Sequence, residues 1–263
     1  MKTTLITGAS SGIGEAFARR LAAEGDNLLL VARTENRLAA LCNELGRAHN
    51  INAQYVAMDL GGAGAGRKLF EEARGRGLEV ELLINNAGFG SMGEFMAEEI
   101  ERQLQMIDLN IKALVELTYL FLGPMRERKS GAIINVASTA AFQPVPFMAT
   151  YAATKAFVLS FSEALWEENR AAGVHVMALC PGVTETNFFN AAGIERPGMR
   201  AVQTPEEVVQ TALSGLKRRK SHIISGWANF LMIEAERLVP RALVLRAAGA
   251  AIRPKYGNKD GKQ

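Results

Sequence analysis

Seven short apolar runs punctuate the chain: TTLIT, NLLLVA, AQYVAM, ELLIN, AIINVA, HVMALC and HIIS. Runs such as NLLLVA are apolar throughout instead of alternating, the pattern of strands covered on both faces. Between the runs, apolar positions recur at helical spacing and predict helices over residues 13–24, 35–49, 67–74, 98–122, 151–171 and 205–218. This alternation predicts an α/β, doubly wound Rossmann fold: a parallel sheet of about seven strands with helices on both faces. Residues 1–226 form a single domain on this reading. Pro240 divides the following stretch into two short amphipathic helices, an extension of the same domain over residues 227–254, and residues 255–263 read as a disordered tail. The stretch GGAGAG, residues 61–66, reads as a flexible connection after the third strand.

Composition excludes several classes. Hydrophobic residues make up 48% and charged residues 22%, the balance of an ordinary globular chain that can bury a core. The formal net charge is +3, with bases spread among nearly as many acids, so nothing calls for nucleic acid. Cys42 and Cys180 stand far apart with no C-x-x-C, against both a disulfide framework and a zinc site, and no metal is expected. The N-terminal apolar run is shorter than that of a signal peptide, and with the cysteine usage this makes the cytoplasm the expected location. Charges at Glu234, Glu236, Arg237, Arg241 and Arg246 interrupt any membrane-crossing span near the C-terminus.

The sequence TGASSGIG follows the first strand and opens the first helix. Gly8 and Gly12 permit a tight turn and close approach of a pyrophosphate, while Gly14 lets the helix pack on the sheet with its N-terminus toward the phosphates. GASSG also fits a nucleophile elbow, which would make Ser10 the nucleophile of a hydrolase with a late histidine such as His222. An elbow follows a mid-sheet strand, however, and only one strand precedes this one. GGAGAGRKL approaches a P-loop but has Arg67 where lysine belongs and no Ser or Thr after it, which excludes that reading. YAATK, residues 151–155, places a phenol and an ammonium on one helix face.

With TGASSGIG, NNAG at 85–88, Ser138, YAATK and PGVTET at 181–186 in order beside strand ends, the chain resembles the classical short-chain dehydrogenase/reductases over roughly residues 2–225. The resemblance implies an enzyme that passes hydride between a nicotinamide and a carbonyl or alcohol carbon. It implies that Tyr151 gives or takes the proton, that Lys155 lowers the tyrosine pKa and holds the nicotinamide ribose, and that Ser138 bonds the reacting oxygen. Asn110 would anchor a water linking the lysine to solvent. One charge about 5 Å away, at an effective dielectric of about 20, is worth about 3 kcal/mol, enough to bring a phenol from near 10 toward neutrality.

The implied cofactor contacts are Gly8, Ser10, Ser11, Gly12, Ile13 and Gly14 in the loop, Asp59 at the adenine edge, and Asn86, Ala87 and Gly88 beside the adenosine ribose. Pro181 and Gly182 would border the nicotinamide, and Thr186 would bond its carboxamide. Thr184 departs from the valine common in the family and leaves the local packing open. Arg33 stands at the end of the second strand, where a base pairs with the 2′-phosphate of NADP. NADP(H) is therefore expected, with Arg37 assisting, although Ser11 occupies a position where such enzymes often carry a base.

Phe89 and Met92, then Phe142, Val145, Phe147 and Met148, then Phe188, Phe189, Ile194 and Met199 would make an apolar mouth and favour a hydrophobic substrate. Residues 187–203 read as a lid, with Arg196 and Arg200 its only bases. The expectation is an NADPH-dependent reductase of a ketone or aldehyde, or the reverse oxidation. A non-catalytic dinucleotide-binding sensor or scaffold is the alternative, and a serine hydrolase using Ser10 the distant one. Leu109, Ala113, Leu114, Leu117 and Leu120 on one helix, with Phe157, Val158, Phe161, Leu165 and Trp166 on another, lie on the pair that the resembling enzymes use for a four-helix subunit contact. Their apolar surplus makes a homodimer or tetramer the expectation, a monomer with the C-terminal helices folded over that surface being the alternative. The C-terminal helices are expected to pack on their own domain or a subunit partner, with membrane-surface contact the less favoured alternative.

Overall fold

The computed structural model describes residues 1–186 and 202–256, the side chains through residue 250. A seven-stranded sheet carries the fold, in the order β3-β2-β1-β4-β5-β6-β7 with every neighbouring pair parallel. The strands are β1 (Lys2–Thr7), β2 (Leu28–Ala32), β3 (Ala53–Ala57), β4 (Glu79–Asn85), β5 (Ala132–Val136), β6 (His175–Cys180) and β7 (His222–Ile224). The predicted Rossmann architecture is therefore present. The chain winds outward from β1 to β3, then crosses back to place β4 on the other side of β1. The crevice at that reversal is where such sheets take a ligand.

Each strand faces two cores. In β2, Leu28 and Leu30 point into one core while Leu29 and Val31 point into the other, as the two-residue period of a strand requires. Burying each such side chain contributes about 1.5–3 kcal/mol. One face is covered by α1 (Gly12–Ala23), α2 (Glu35–His49) and α7 (Pro205–Lys217), through residues such as Phe17, Leu38 and Val208. The other is covered by α3 (Ala65–Gly75), α5 (Leu114–Glu127) and α6 (Ala149–Asn169), through Leu69, Phe121 and Val158.

The long helix expected over residues 98–122 is assembled from α4 (Ile100–Ile107), a π-helical segment (Asp108–Ala113) and α5, and runs on through Pro124 to Glu127. The GGAGAG stretch is not the expected flexible connection. Its second half opens α3, with Ala65 and Gly66 buried. A side chain on Gly66 would collide with Glu116 of α5, whose carboxylate accepts the Arg67 N–H at 3.2 Å, so the missing side chain lets two helices meet.

Two helices follow the sheet, α8 (Trp227–Glu236) and α9 (Arg241–Tyr256). The second runs two residues past the expected end at 254, and residues 257–263 of the expected tail lie outside the described residues. So do residues 187–201 of the expected lid, including Phe188, Phe189, Ile194, Arg196, Met199 and Arg200. Gln203, at its end, is paired with main chain: its N–H donates to Val183 O and its carbonyl accepts from Glu185 N. No helix among the described residues is long and apolar enough to cross a membrane. Of the apolar residues expected to be in surplus on the composite helix that ends in α5 and on α6, Ala113, Leu114, Leu117 and Val158 are buried within the chain, Leu109, Leu120, Phe161, Leu165 and Trp166 are half-buried, and Phe157 is exposed.

Candidate active site

The site assembles at the carboxyl ends of the strands. Gly8 and Gly12 both have positive φ, +66° and +59°, the left-handed conformation that glycine adopts without strain. A Cβ on Gly8 would sit 2.8 Å from the Asn86 amide nitrogen, and one on Gly14 would run into the Gly8 carbonyl. A Cβ on Gly12 would fall 3.0 Å from Thr186, so the loop and the segment after β6 close on one another. Ser11 stands at the N-cap of α1 with no side-chain capping bond. The helix thus presents its first N–H groups and its positive end toward the crevice.

Thr7 and Asn86 hold this loop in place. The Thr7 hydroxyl accepts the N–H groups of Asn86 and Ala87, each at 3.0 Å. The Asn86 amide donates to the carbonyls of Thr7 and Gly8 at 3.0 and 3.2 Å. The side chain of Asn86, expected at the cofactor, is thus engaged in tying β4 to β1, and Ile13 packs against the core below. Thr7 had no assigned role in the sequence, and its hydroxyl beside a glycine turn was the one signal available.

Beside the loop, between α1, α2 and the start of α7, a cavity of about 530 Å³ brings Ser10, Ser11, Gly12, Arg37 and Thr186 together with the carboxylates of Glu15, Glu44, Glu185 and Glu206, and is lined by none of Arg33, Asp59, Ser138, Tyr151 or Lys155. Arg33 is exposed just past the end of β2. Asp59 is exposed after β3, and one of its carboxylate oxygens accepts the Gly61 N–H at 3.0 Å, a turn-forming contact. These residues fit a dinucleotide: glycines where no side chain can stand, and a helix N-terminus that faces the pyrophosphate.

The chemical end is set by β5, α6 and the π-helical segment. Ser138 has extended backbone and caps a short turn, its hydroxyl accepting the Ala140 N–H at 3.1 Å. That leaves its own proton to donate, and it is hydrogen-bonded to the Tyr151 phenol. Burial pushes the phenol up to about 12, with Ser138 pulling the other way. This reverses the expected depression. Lys155 stands with Nζ 5.8 Å from the Tyr151 ring centre, and its own burial pushes it down to about 8 against an opposing pull from Cys180, so desolvation dominates both groups. Lys155 Nζ donates to Val136 O at 2.8 Å.

Asn110 is 1% exposed, and its amide is almost fully used. Its Oδ1 accepts Phe89 N at 3.1 Å, while Nδ2 donates to Phe89 O at 2.9 Å and to Thr154 Oγ1 at 3.1 Å. Thr154 in turn donates to Tyr151 O at 2.7 Å. The π-helical turn therefore clamps the chain after β4 to the helix bearing the tyrosine. Gly88 fits this clamp because a Cβ there would lie 2.8 Å from Asn110 Oδ1. Thr154 escaped the sequence reading, although its place inside YAATK, one turn from Tyr151, marked it.

After β6, Pro181 accepts the Thr139 N–H at 2.8 Å, joining this loop to the serine turn. Gly182 admits the Asn229 amide of α8 where any side chain would block it. The Thr184 hydroxyl donates to Gly182 O at 3.1 Å, which explains the departure from valine: it closes a local turn. The hydrolase reading fails on distance. His222 pairs with Glu163 at 2.7 Å on β7, four strands from the β1 loop that carries Ser10, or about 19 Å at ordinary strand spacing.

Residues 2–197 match the family model described as short chain dehydrogenase. The chain is 32% identical over 224 residues to ketoacyl reductase HetN of Nostoc sp., covering 85% of this chain and 78% of that protein. It is 31% identical over 247 residues to very-long-chain 3-oxoacyl-CoA reductase-B of Danio rerio, covering 90% and 78%. A short-chain dehydrogenase from Sphingobium yanoikuyae in complex with NADPH superposes with a TM-score of 0.82 at 34% identity, over 90% of this chain and 94% of that one. Matched along most of its length in sequence and in fold, the chain belongs to the short-chain dehydrogenase/reductase family of oxidoreductases.

Proposed function

We propose that this protein is an NADPH-dependent reductase of an apolar ketone or aldehyde. The observation that carries the reading is the buried phenol of Tyr151, protonated at neutral pH, bonded to Ser138 and close to Lys155. When bound, the nicotinamide supplies hydride to the carbonyl carbon. Tyr151 holds a proton on its phenolic oxygen and passes it to the carbonyl oxygen. Ser138, already receiving Ala140 N–H, aims its own hydroxyl proton at the same place and stabilises the negative charge that develops there. Lys155, with its pKa near 8, is mostly charged at neutral pH and stabilises the tyrosinate left behind. Asn110 and Thr154 fix the helix so that these groups stay in register.

Arg33 supports NADP over NAD, since a guanidinium pairs with a 2′-phosphate and the residue directly after β2 is this base, the first acid, Glu35, coming only at the start of α2. The NADPH complex of the Sphingobium relative agrees. Phe89, Phe142, Phe147 and Met148 near the reacting end support an apolar substrate, as do relatives named for oxoacyl reduction. Both cysteines are free and buried, in keeping with a reducing cytoplasm, and exposed Phe157 on α6 supports pairing of two subunits there. The test is oxidation of NADPH and of NADH over a panel of aliphatic, aromatic, steroid and acyl-thioester ketones. Turnover of apolar members with NADPH preferred is expected. Activity confined to small polar carbonyls, or NADH used equally well, would reject the reading.

A further inference from the structure

Helices α8 and α9 leave much of their apolar surface uncovered. Trp227 is 78% exposed, Phe230 49%, Leu231 54% and Leu238 87%. The first three share one helical face, and Leu238 follows in the turn after α8. The opposite side is fixed to the body: Ile233 is 1% exposed in the core beneath α6, and the Asn229 amide donates to Ser225 O at 2.6 Å while filling the space over Gly182. The bare face is therefore held outward by packing behind it.

Beyond Pro240, α9 adds Leu243, 53% exposed, and a charge of one sign. Its sixteen residues include four bases and no acid. Arg241 and Arg246 are exposed on it. On α8 the apolar side chains share their face with Glu234, whose carboxylate is paired with Arg237 at 3.0 Å, so the uncompensated charge of the surface comes from the bases of α9. An apolar face continued by such bases matches the headgroup zone of an anionic bilayer, where the apolar side chains sink in and the bases meet lipid phosphates. A symmetric contact between two copies through α9 would instead set these bases against their own equivalents.

From this surface we infer that α8 and α9 dock the protein on an anionic lipid bilayer, lying in its interface without crossing it. On another side of α9 from Leu243, Gly249 lies against Pro146, in the loop that leads into the helix bearing Tyr151, so α9 too is held to the body from behind. The inference stands on the two helices and does not depend on the proposed reaction.

The full chain is sedimented with vesicles of phosphatidylglycerol and phosphatidylcholine, and with vesicles of phosphatidylcholine alone. Binding to the anionic vesicles, weaker by about tenfold or more on the neutral ones, is expected. Paired Arg241→Glu and Arg246→Glu changes, and separately Leu238→Glu, are each expected to weaken it to a similar degree. With Trp166→Phe leaving Trp227 as the only tryptophan, its emission should shift to the blue on anionic vesicles. Failure to sediment with them, equal binding to both vesicle types, or indifference to charge reversal would overturn the inference. So would light scattering that shows a dimer lost on Leu238→Glu, which would assign the face to a second copy of the chain.

Discussion

Replacing Lys155 with methionine should remove activity and change how stability depends on pH. Lys155 is 6% exposed, and burial pushes its pKa from 10.5 down to about 8. Below pH 8 the lysine is charged in both folded and unfolded chains, and holding the charge inside costs the folded state about 3 kcal/mol at about 1.4 kcal/mol per pKa unit. Between pH 8 and 10.5 the unfolded chain binds the extra proton, so this cost recedes and the parent protein gains stability as pH rises. Methionine fills the same space without charge but strips Val136 O of its donor, a loss of about 1–3 kcal/mol. At pH 7 the two effects nearly cancel, leaving the variant equal to the parent or more stable by up to about 2 kcal/mol. From pH 7 to pH 9.5 the parent should gain about 2 kcal/mol relative to the variant. Urea unfolding of both proteins without cofactor, at pH 7, 8.5 and 9.5, measures this difference directly. A constant gap across the three pH values would mean that Lys155 is not desolvated in the folded protein and would refute the reasoning.

Tyr151→Phe deletes the proton donor while leaving the ring packing, so turnover should fall by at least about a thousandfold with NADPH affinity within a few-fold; retained activity above a few per cent would remove Tyr151 from its role. Thr154→Val leaves a buried Asn110 N–H without its acceptor and should lower both kcat and stability, the latter by about 1–3 kcal/mol, with KM little changed; Thr154→Ser should restore both, and a serine variant as impaired as valine would show the hydroxyl to be irrelevant. Arg33→Asp exchanges a phosphate partner for a repelling charge and should narrow or invert the ratio of kcat/KM for NADPH over NADH; an unchanged ratio would place the phosphate elsewhere.

Much of this protein is legible residue by residue. Seven apolar runs and the helical periodicity between them specify a parallel sheet covered on two faces, because burial on both sides demands runs without polar interruption. The glycines at 8, 12 and 14 announce a backbone turn because no other residue fits there, and YAATK announces its chemistry because four residues make one helical turn. Tertiary structure alone decided the rest. The fold joins Asn110 to Phe89 and Thr154 across three elements, and their hydrogen bonds depend on a π-helical turn that no local pattern signals. Gly66 looked like slack until Glu116 packed against it. The direction of the Tyr151 pKa turned on burial, since the attraction of a nearby lysine is readable from spacing whereas desolvation is set by everything packed around both groups. Which faces of the last two helices stay bare was likewise settled by distant residues: periodicity marks a side chain as apolar, and only the assembled chain determines whether anything covers it.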